Sequence, residues 1–164
     1  MLRDKSLIPL SRQHQRALAL CVRIDRAQPI PAADLHIWLD EIEREFANEI
    51  KINFSAEESV LFPAACKFPE LLPLVKELIA DHGALREFFS QTSSHTLSAG
   101  ALSAFARQLS VHIRKEERQL FERIQQLMSA TELSRLGEQL GAALKDTVHS
   151  CSLPGEATRL KPKK

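Results

Sequence analysis

The sequence is poor in residues and patterns that mark several protein classes. It has no tyrosine and only five glycines among 164 residues, a composition that suits a helical protein better than a β-sheet. No apolar run approaches the 18 or more residues needed to cross a bilayer. Its 22 basic residues nearly balance 21 acidic ones, and the formal net charge of +1 gives no argument for binding nucleic acid or a membrane surface.

Two further absences bear on the cellular compartment. The N-terminal stretch MLRDKSLIPL lacks an apolar core long enough for a signal peptide, so we expect a cytoplasmic protein. Cys21, Cys66 and Cys151 are odd in number and widely spaced, and no CxxC pair occurs. We expect them to be reduced thiols rather than a disulfide framework.

The chain has the length and composition of one globular domain. We predict a helical bundle over residues 1–149, followed by a disordered basic tail over residues 150–164. Apolar residues recur every three or four positions, which indicates helices. The predicted helices run from Ser11 to about 27, from 32 or 33 to between 61 and 65, from 70 to 92, from 99 to 128, and from the capping box at Ser129 to about 148. The predicted fold is all-α: an up-down antiparallel four-helix bundle with a short fifth C-terminal helix.

The stretch LSVHIRKEERQLFERI, residues 109–124, places two polar residues in an otherwise apolar helical stripe. His112 and Glu116 are four residues apart, so they point the same way with Cβ atoms about 5–6 Å apart. An imidazole nitrogen and a carboxylate oxygen held so close can bind one metal ion or two adjacent ones. The alternative is a core histidine hydrogen-bonded to its neighbouring glutamate.

The other three long helices carry similar interruptions. The first has a histidine where leucine would be routine, the third has another, and the second has three polar residues at successive four-residue steps. These residues are His14, His82, Glu49, Asn53 and Glu57. The polar residues of the second helix bring like charges together: exposed, they would form a mildly unfavourable solvated stripe, and facing inward they need a cation.

Counting residues from the predicted turns gives the depth of each side chain in the bundle. At about 1.5 Å per residue, Glu57, His82 and His112 lie within a few ångströms of one level. The first helix is harder to align with the second, because the depths of His14 and Asn53 differ by roughly 9 Å at the same rise per residue. Either the second helix extends past the first, or Glu49 is the residue level with His14.

A histidine and carboxylate set without cysteine suits iron, manganese or zinc, and helical bundles commonly hold metals between facing helices. The order of His14, then NFSAEESVLFP, DHGALREFF and HIRKEERQLF resembles the hemerythrin-like, or HHE cation-binding, family over about residues 7–144. The family pattern is a lone histidine, HxxxE, a second lone histidine and a second HxxxE. The resemblance implies a non-haem di-iron centre bridged by two glutamates. The ligands that it implies are His14, Glu57, His82, His112 and Glu116.

The sequence departs from this pattern at one position. Asn53 stands where the family has the first histidine of HxxxE, and an amide oxygen is a weaker ligand for iron than imidazole. Asn53 itself, Glu49 or Glu58 could substitute. A single-metal site, an asymmetric pair and a site that has lost its metal all stay open. We expect Glu58 and Glu117 to face outward, and we expect the remaining histidines, His36, His95 and His149, to be surface residues.

Members of the family bind dioxygen or respond to oxygen, nitric oxide or peroxide. The resemblance therefore implies a domain that binds or senses such a small molecule, with iron preferred and manganese or zinc as alternatives, and with a binding role favoured over an enzymatic one. Two other functions are considered: a metal-free helical bundle acting through protein–protein contacts, and an enzyme that consumes peroxide. We expect neither nucleic acid nor membrane as a partner, and the oligomeric state is left open.

Overall fold

A computed structural model describes residues 2–145, which contain helices and no strand. The α-helices are α1 (Ile8–Arg26), α2 (Leu35–Glu45), α3 (Lys51–Ala56), α4 (Phe62–Ala65), α5 (Leu72–Ser93), α6 (Ala99–Lys115), α7 (Phe121–Leu127) and α8 (Ala130–Ala143). Short 3₁₀ turns, Ala32–Asp34 and Pro69–Leu71, precede α2 and α5. The all-helical class is thus confirmed, while the predicted tail, Cys151 and His149 lie outside the described residues.

Three π-helical turns join the shorter α-helices into longer ones. Phe46–Ile50 links α2 to α3, and Glu57–Leu61 links α3 to α4, so that one continuous helix, here called the second long helix, runs over residues 35–65. Glu116–Leu120 links α6 to α7 in the same way and makes the fourth long helix, residues 99–127. Single π turns inside α-helices are rare, and those that occur are frequently found at functional sites.

The ends of the helices differ from the predictions in two places. Ser11 is not an N-cap, because α1 already begins at Ile8 with a proline in its first turn. Proline is favoured there, since its missing N–H would have no partner in the first turn and its φ angle suits a helix. The predicted capping box is confirmed: Ser129 accepts from the Glu132 backbone N–H, and the Glu132 carboxylate accepts from that of Ser129. The helix that it starts ends at Ala143 rather than at Val148.

The apolar core is divided into two clusters that occupy opposite halves of the long helices. One cluster contains the end of α1, the start of the second long helix, the end of α5 and the start of α6. The other contains Leu7 and Leu10, the end of the second long helix, the start of α5, and residues of α7 and α8. The start of α1 therefore packs at the end of the second long helix.

Three of the long helices pass from one cluster to the other over about two turns, at Leu10–Ala17, Leu78–Leu85 and Ile113–Leu120. In the second long helix the change is abrupt, from Phe54 to Ala56, directly before Glu57. His14, His82 and Glu116 lie within the three intervals, and all four of these polar side chains are buried. The polar residues thus form a layer between two apolar halves.

Several smaller predictions also have an outcome. Cys21 and Cys66 are free thiols, the first buried and the second exposed, as expected. His36 and His95 are exposed. Among the described helices, none combines the length and the apolar character needed to span a membrane.

Candidate metal centre

Four buried side chains from three long helices converge in the polar layer. Each of Glu57, His82, His112 and Glu116 offers a nitrogen or oxygen atom, and these four atoms lie within 4.8 Å of one another. The Nε2 atoms of His82 and His112 are 3.1 Å apart. Glu57 Oε2 lies 3.4 Å from His82 Nε2, and Glu116 Oε2 lies 3.4 Å from His112 Nε2. The predicted pair on the fourth long helix therefore faces two further donors.

His14 of α1 meets the same two glutamates from the other side. Its Nε2 atom lies 3.2 Å from Glu57 Oε1 and 3.2 Å from Glu116 Oε2. Each carboxylate thus stands between His14 and the pair formed by His82 and His112. Such an arrangement offers two adjacent cation positions that share two carboxylates.

The alignment of the first two helices, which the sequence left open, follows from these distances. Glu57, rather than Glu49 or Asn53, is level with His14. His14 lies 12 residues before the end of α1, and Glu57 lies 22 residues after the start of α2. At 1.5 Å per residue the second long helix begins about 15 Å beyond the end of α1. The second long helix therefore extends past the first.

Asn53 and Glu49 belong to a neighbouring polar cluster. Asn53 Nδ2 donates to Gln13 Oε1 at 3.2 Å, and Gln13 Nε2 donates to Glu49 Oε2 at 3.4 Å. Glu49 also pairs with Arg16 at the protein surface. A small cavity separates this cluster from His14, with a volume of about 10 Å³, roughly the space for one water. The structure thus brings Asn53 and Glu49 near the centre but not into the group of four.

Glu58 and Glu117, which we expected to face outward, instead contact the outer nitrogens of two histidines. Glu117 Oε1 lies 2.7 Å from His14 Nδ1, and Glu58 Oε1 lies 2.8 Å from His82 Nδ1. Each follows directly after a glutamate of the centre, and successive residues point about 100° apart around a helix. The sequence signal was therefore the doublets Glu57-Glu58 and Glu116-Glu117, in which the second residue reaches the neighbouring helix.

The third histidine has a looser outer partner. Asp81 Oδ2 lies 3.5 Å from His112 Nδ1, within the range of an ion pair but too long for a good hydrogen bond. The same oxygen accepts a hydrogen bond from Lys115 Nζ at 2.8 Å. His112 Nδ1 is accordingly left without a hydrogen bond.

Aromatic rings cover the imidazoles on their apolar sides. Phe54 stacks on His82 with ring centroids 3.8 Å apart, and Phe121 stacks on His14 at 5.5 Å. Phe62 packs against His82 at 5.4 Å with a tilted ring. These contacts hold the rings in place and exclude water from the centre.

The proton distribution of the metal-free cluster follows from burial and from the contacts between its members. Burial opposes the charged form of His14, but the neighbouring carboxylates of Glu116, Glu117 and Glu57 outweigh it and raise the pKa of His14 well above its usual value. Burial also opposes ionisation of Glu57, yet its contacts with His14 and His82 lower the pKa of Glu57 to about 2. For Glu116, burial and the charge of Glu57 raise the pKa. The carboxylates thus stabilise a proton on His14, and a metal ion bound by this histidine would have to displace that proton.

The donor set fits a metal ion. Glu57 Oε2 and both carboxylate oxygens of Glu116 are buried without a hydrogen bond. Burying a charged oxygen without a hydrogen bond costs free energy unless a cation or a hydrogen-bond donor contacts it. Three imidazoles with two carboxylates and no thiolate suit iron, manganese or zinc.

Comparisons with known proteins agree with this geometry. A family model described as the hemerythrin HHE cation binding domain matches residues 9–147, a range that contains every residue of the candidate centre. A comparison with curated proteins and one with solved structures each gave no match.

Proposed function

Because this chain belongs to the hemerythrin HHE cation-binding domain family, we propose that it is a non-haem iron-binding domain that binds or senses a small molecule such as dioxygen, nitric oxide or peroxide. The observation that carries the proposal is the position of Glu57 and Glu116, each buried between His14 and the pair formed by His82 and His112. Manganese and zinc accept the same donors and are the alternatives to iron.

We propose that the two cation positions are unequal. One position is surrounded by two imidazoles and two carboxylates, the group whose donor atoms lie within 4.8 Å of one another. The other has a single imidazole, from His14, and the same two carboxylates, because Asn53 replaces the second histidine of the family pattern. The first ion should therefore bind more tightly than the second, since imidazole is a better ligand than an amide for these metals.

The helical arrangement is part of the same proposal. We take α1, the second long helix, α5 and the fourth long helix as the four members of an up-down bundle, with α8 as the short fifth helix. The division of the core supports this, because the start of α1 shares a cluster with the end of the second long helix. Neighbouring helices of such a bundle run antiparallel and direct ligands into the core.

Bound iron would supply the ability to take up a small ligand at an open coordination position. The chain supplies the conditions for it. Glu57 and Glu116 can each offer two oxygens to adjacent positions, and the stacked rings Phe54 and Phe121 limit the access of water. The small cavity beside His14 leaves space next to the position that has fewer donors. We propose that binding or sensing, rather than turnover, is the role of this site.

Metal analysis of protein purified without oxygen tests the proposal. We expect iron to co-purify or to be taken up from ferrous salt, and ultraviolet–visible absorption to change when dioxygen, nitric oxide or peroxide is added. His82→Ala should lose most of the metal, whereas His36→Ala, at an exposed histidine, should keep it. Wild type that takes up no iron, manganese or zinc would refute the proposal and favour the metal-free bundle that acts through protein contacts. Continued consumption of peroxide by the iron-loaded protein would instead identify an enzyme.

A further inference from the structure

Two of the three histidines of the centre are each held, on the side away from Glu57, by a similar group of side chains. The group on the α5 side consists of His82, Glu58, Arg86 and Phe54. Glu58 Oε1 meets His82 Nδ1 at 2.8 Å, and Arg86 contacts both oxygens of Glu58, at 2.8 and 3.0 Å. The guanidinium of Arg86 also lies over the ring of Phe54 at 5.4 Å, and Phe54 stacks on His82.

The group on the α1 side repeats this arrangement with residues from different elements. Glu117 Oε1 meets His14 Nδ1 at 2.7 Å, and Arg3 Nη2 donates to Glu117 Oε2 at 2.6 Å. The Arg3 guanidinium lies 5.0 Å from the centroid of the Phe121 ring, which stacks on His14. In both groups an arginine fixes the carboxylate and covers the ring that supports the imidazole.

The third histidine has no such group. Asp81 is 3.5 Å from His112 Nδ1 and is already engaged by Lys115, and no phenyl ring within the described residues stacks flat on His112. Fixed outer partners thus belong to two of the three imidazoles, one on each side of the two glutamates.

An outer carboxylate has a definite effect on an imidazole. When the carboxylate accepts a hydrogen bond from Nδ1–H, the proton stays on Nδ1 and the lone pair is on Nε2. Nε2 is the atom that faces Glu57 in both groups. It also fixes the orientation of the ring and makes Nε2 a stronger donor to a metal. Glu58 and Glu117 are well suited to this task because their arginine partners hold them in place.

We propose that Glu58 and Glu117 are positioning residues, each of which prepares one side of the metal centre independently of the other: Glu58 acts through His82, and Glu117 acts through His14. Neither residue is a ligand, and each works together with the arginine that pairs with it. This inference rests on the proposed function, since it concerns the binding of the metal.

Binding isotherms of ferrous iron under anaerobic conditions test the proposal. Glu58→Ala should weaken the first ion by about 10–100-fold, the effect typical of removing an outer partner of a ligand. Glu58→Gln should fall between wild type and Glu58→Ala, because the amide oxygen still accepts from Nδ1 but carries no charge. Glu117→Ala should leave the affinity of the first ion within about threefold of wild type and weaken the second ion instead. Glu138→Gln, which removes an exposed carboxylate on α8, should change neither.

A second readout separates positioning from general stability. Zinc-loaded protein with ¹⁵N-labelled histidine should show a protonated Nδ1 on His82 in wild type and in Glu117→Ala, and a changed His82 signal in Glu58→Ala alone. Equal losses of affinity and stability in Glu58→Ala and Glu117→Ala would overturn the proposal in favour of a general structural role. Unchanged isotherms in both variants would overturn it as well. A wild type that binds no metal would refute the proposed function, and this inference with it.

Discussion

Replacing Asn53 by histidine should strengthen the weaker of the two cation positions. Asn53 lies one helical turn before Glu57 and borders the same small cavity as His14. A histidine there would complete the HxxxE pattern and place an imidazole beside the side of the centre that has only one. Imidazole nitrogen binds divalent transition metals better than an amide oxygen does. We therefore expect bound iron to rise from about one toward two ions per chain.

Without iron, the same substitution should destabilise the protein. Asn53 is only 5% exposed, and the adjoining cavity of about 10 Å³ is too small for the additional ring atoms. The change also removes the hydrogen bond from Asn53 Nδ2 to Gln13 Oε1. Overpacking a buried site typically costs 1–3 kcal/mol, so we expect the free energy of unfolding in chelator to fall by about that amount.

Iron should reverse this loss. A ligand present at 100 times its dissociation constant stabilises the folded state by about 2.7 kcal/mol, which is comparable to the expected destabilisation. Urea unfolding in chelator and in ferrous iron, with iron analysis of the same samples, gives both quantities. Asn48→His is a matched control, because it makes the same chemical change at a half-buried position on the same helix.

The reasoning would be refuted if Asn53→His and wild type had the same iron content and the same stability in iron. In that case the side chain at position 53 does not reach the position beside His14. A rise in iron content for Asn48→His of the same size would show that added histidine, rather than its location, is responsible.

Three further predictions concern the residues of the centre itself. His112→Ala should remove most of the bound metal and lower the stability of the metal-loaded protein, as measured by metal analysis and thermal unfolding; equal metal content in mutant and wild type would contradict it. Glu116→Gln should raise the stability of the metal-free protein by about 1 kcal/mol, because it neutralises one of the two neighbouring carboxylates of the centre, while reducing metal uptake; a loss of stability in chelator would refute this. The metal-free protein should lose stability as the pH rises from 6.5 through the raised pKa of His14. It should also lose stability as the pH falls from 4.5 through the lowered pKa of Glu57, about 2. Urea unfolding over this pH range measures both losses. For His14, whose pKa is higher in the folded state, the stabilisation is complete below the unfolded value. His14→Gln should reduce the loss on the alkaline side without abolishing it, because Glu57 also raises the pKa of His82 against the effect of burial.

The convergence of Glu57, His82 and His112 could be predicted from the sequence because two simple regularities coincide. His82, His112 and Glu116 interrupt apolar stripes whose 3.6-residue period is unambiguous, so the helices and their inner faces were predictable. Counting residues from short turns then gave the common level of Glu57, His82 and His112. The structure brings the donor atoms of these residues together, as that count predicted.

The features that sequence reasoning missed depend on geometry that no local pattern encodes. The depth of His14 could not be fixed, because the second long helix begins about 15 Å beyond the end of α1 and contains a π turn at Phe46–Ile50. Each π turn widens the helix locally and shifts the register of all residues that follow. The contacts of Glu58 and Glu117 depend on the distance between neighbouring helices, which periodicity does not provide.

We expect that this chain would also fold with apolar side chains in place of the polar layer. The two apolar clusters on either side of it would form one continuous core if its histidines and glutamates were leucines, and well-packed apolar residues in place of buried charges are often neutral or stabilising. The metal-free layer instead contains carboxylate oxygens of Glu57 and Glu116 without hydrogen bonds. Asn53 differs from them, because its amide donates to Gln13 within a separate cluster closed by Arg16 and Glu49. Asn53, the residue that departs from the family pattern, thus has a hydrogen-bond partner without metal, whereas Glu57 Oε2 and both oxygens of Glu116 have none. This contrast locates the need for a cation at the two shared carboxylates, and it makes the side of His82 and His112 the part of the centre that should hold metal most firmly.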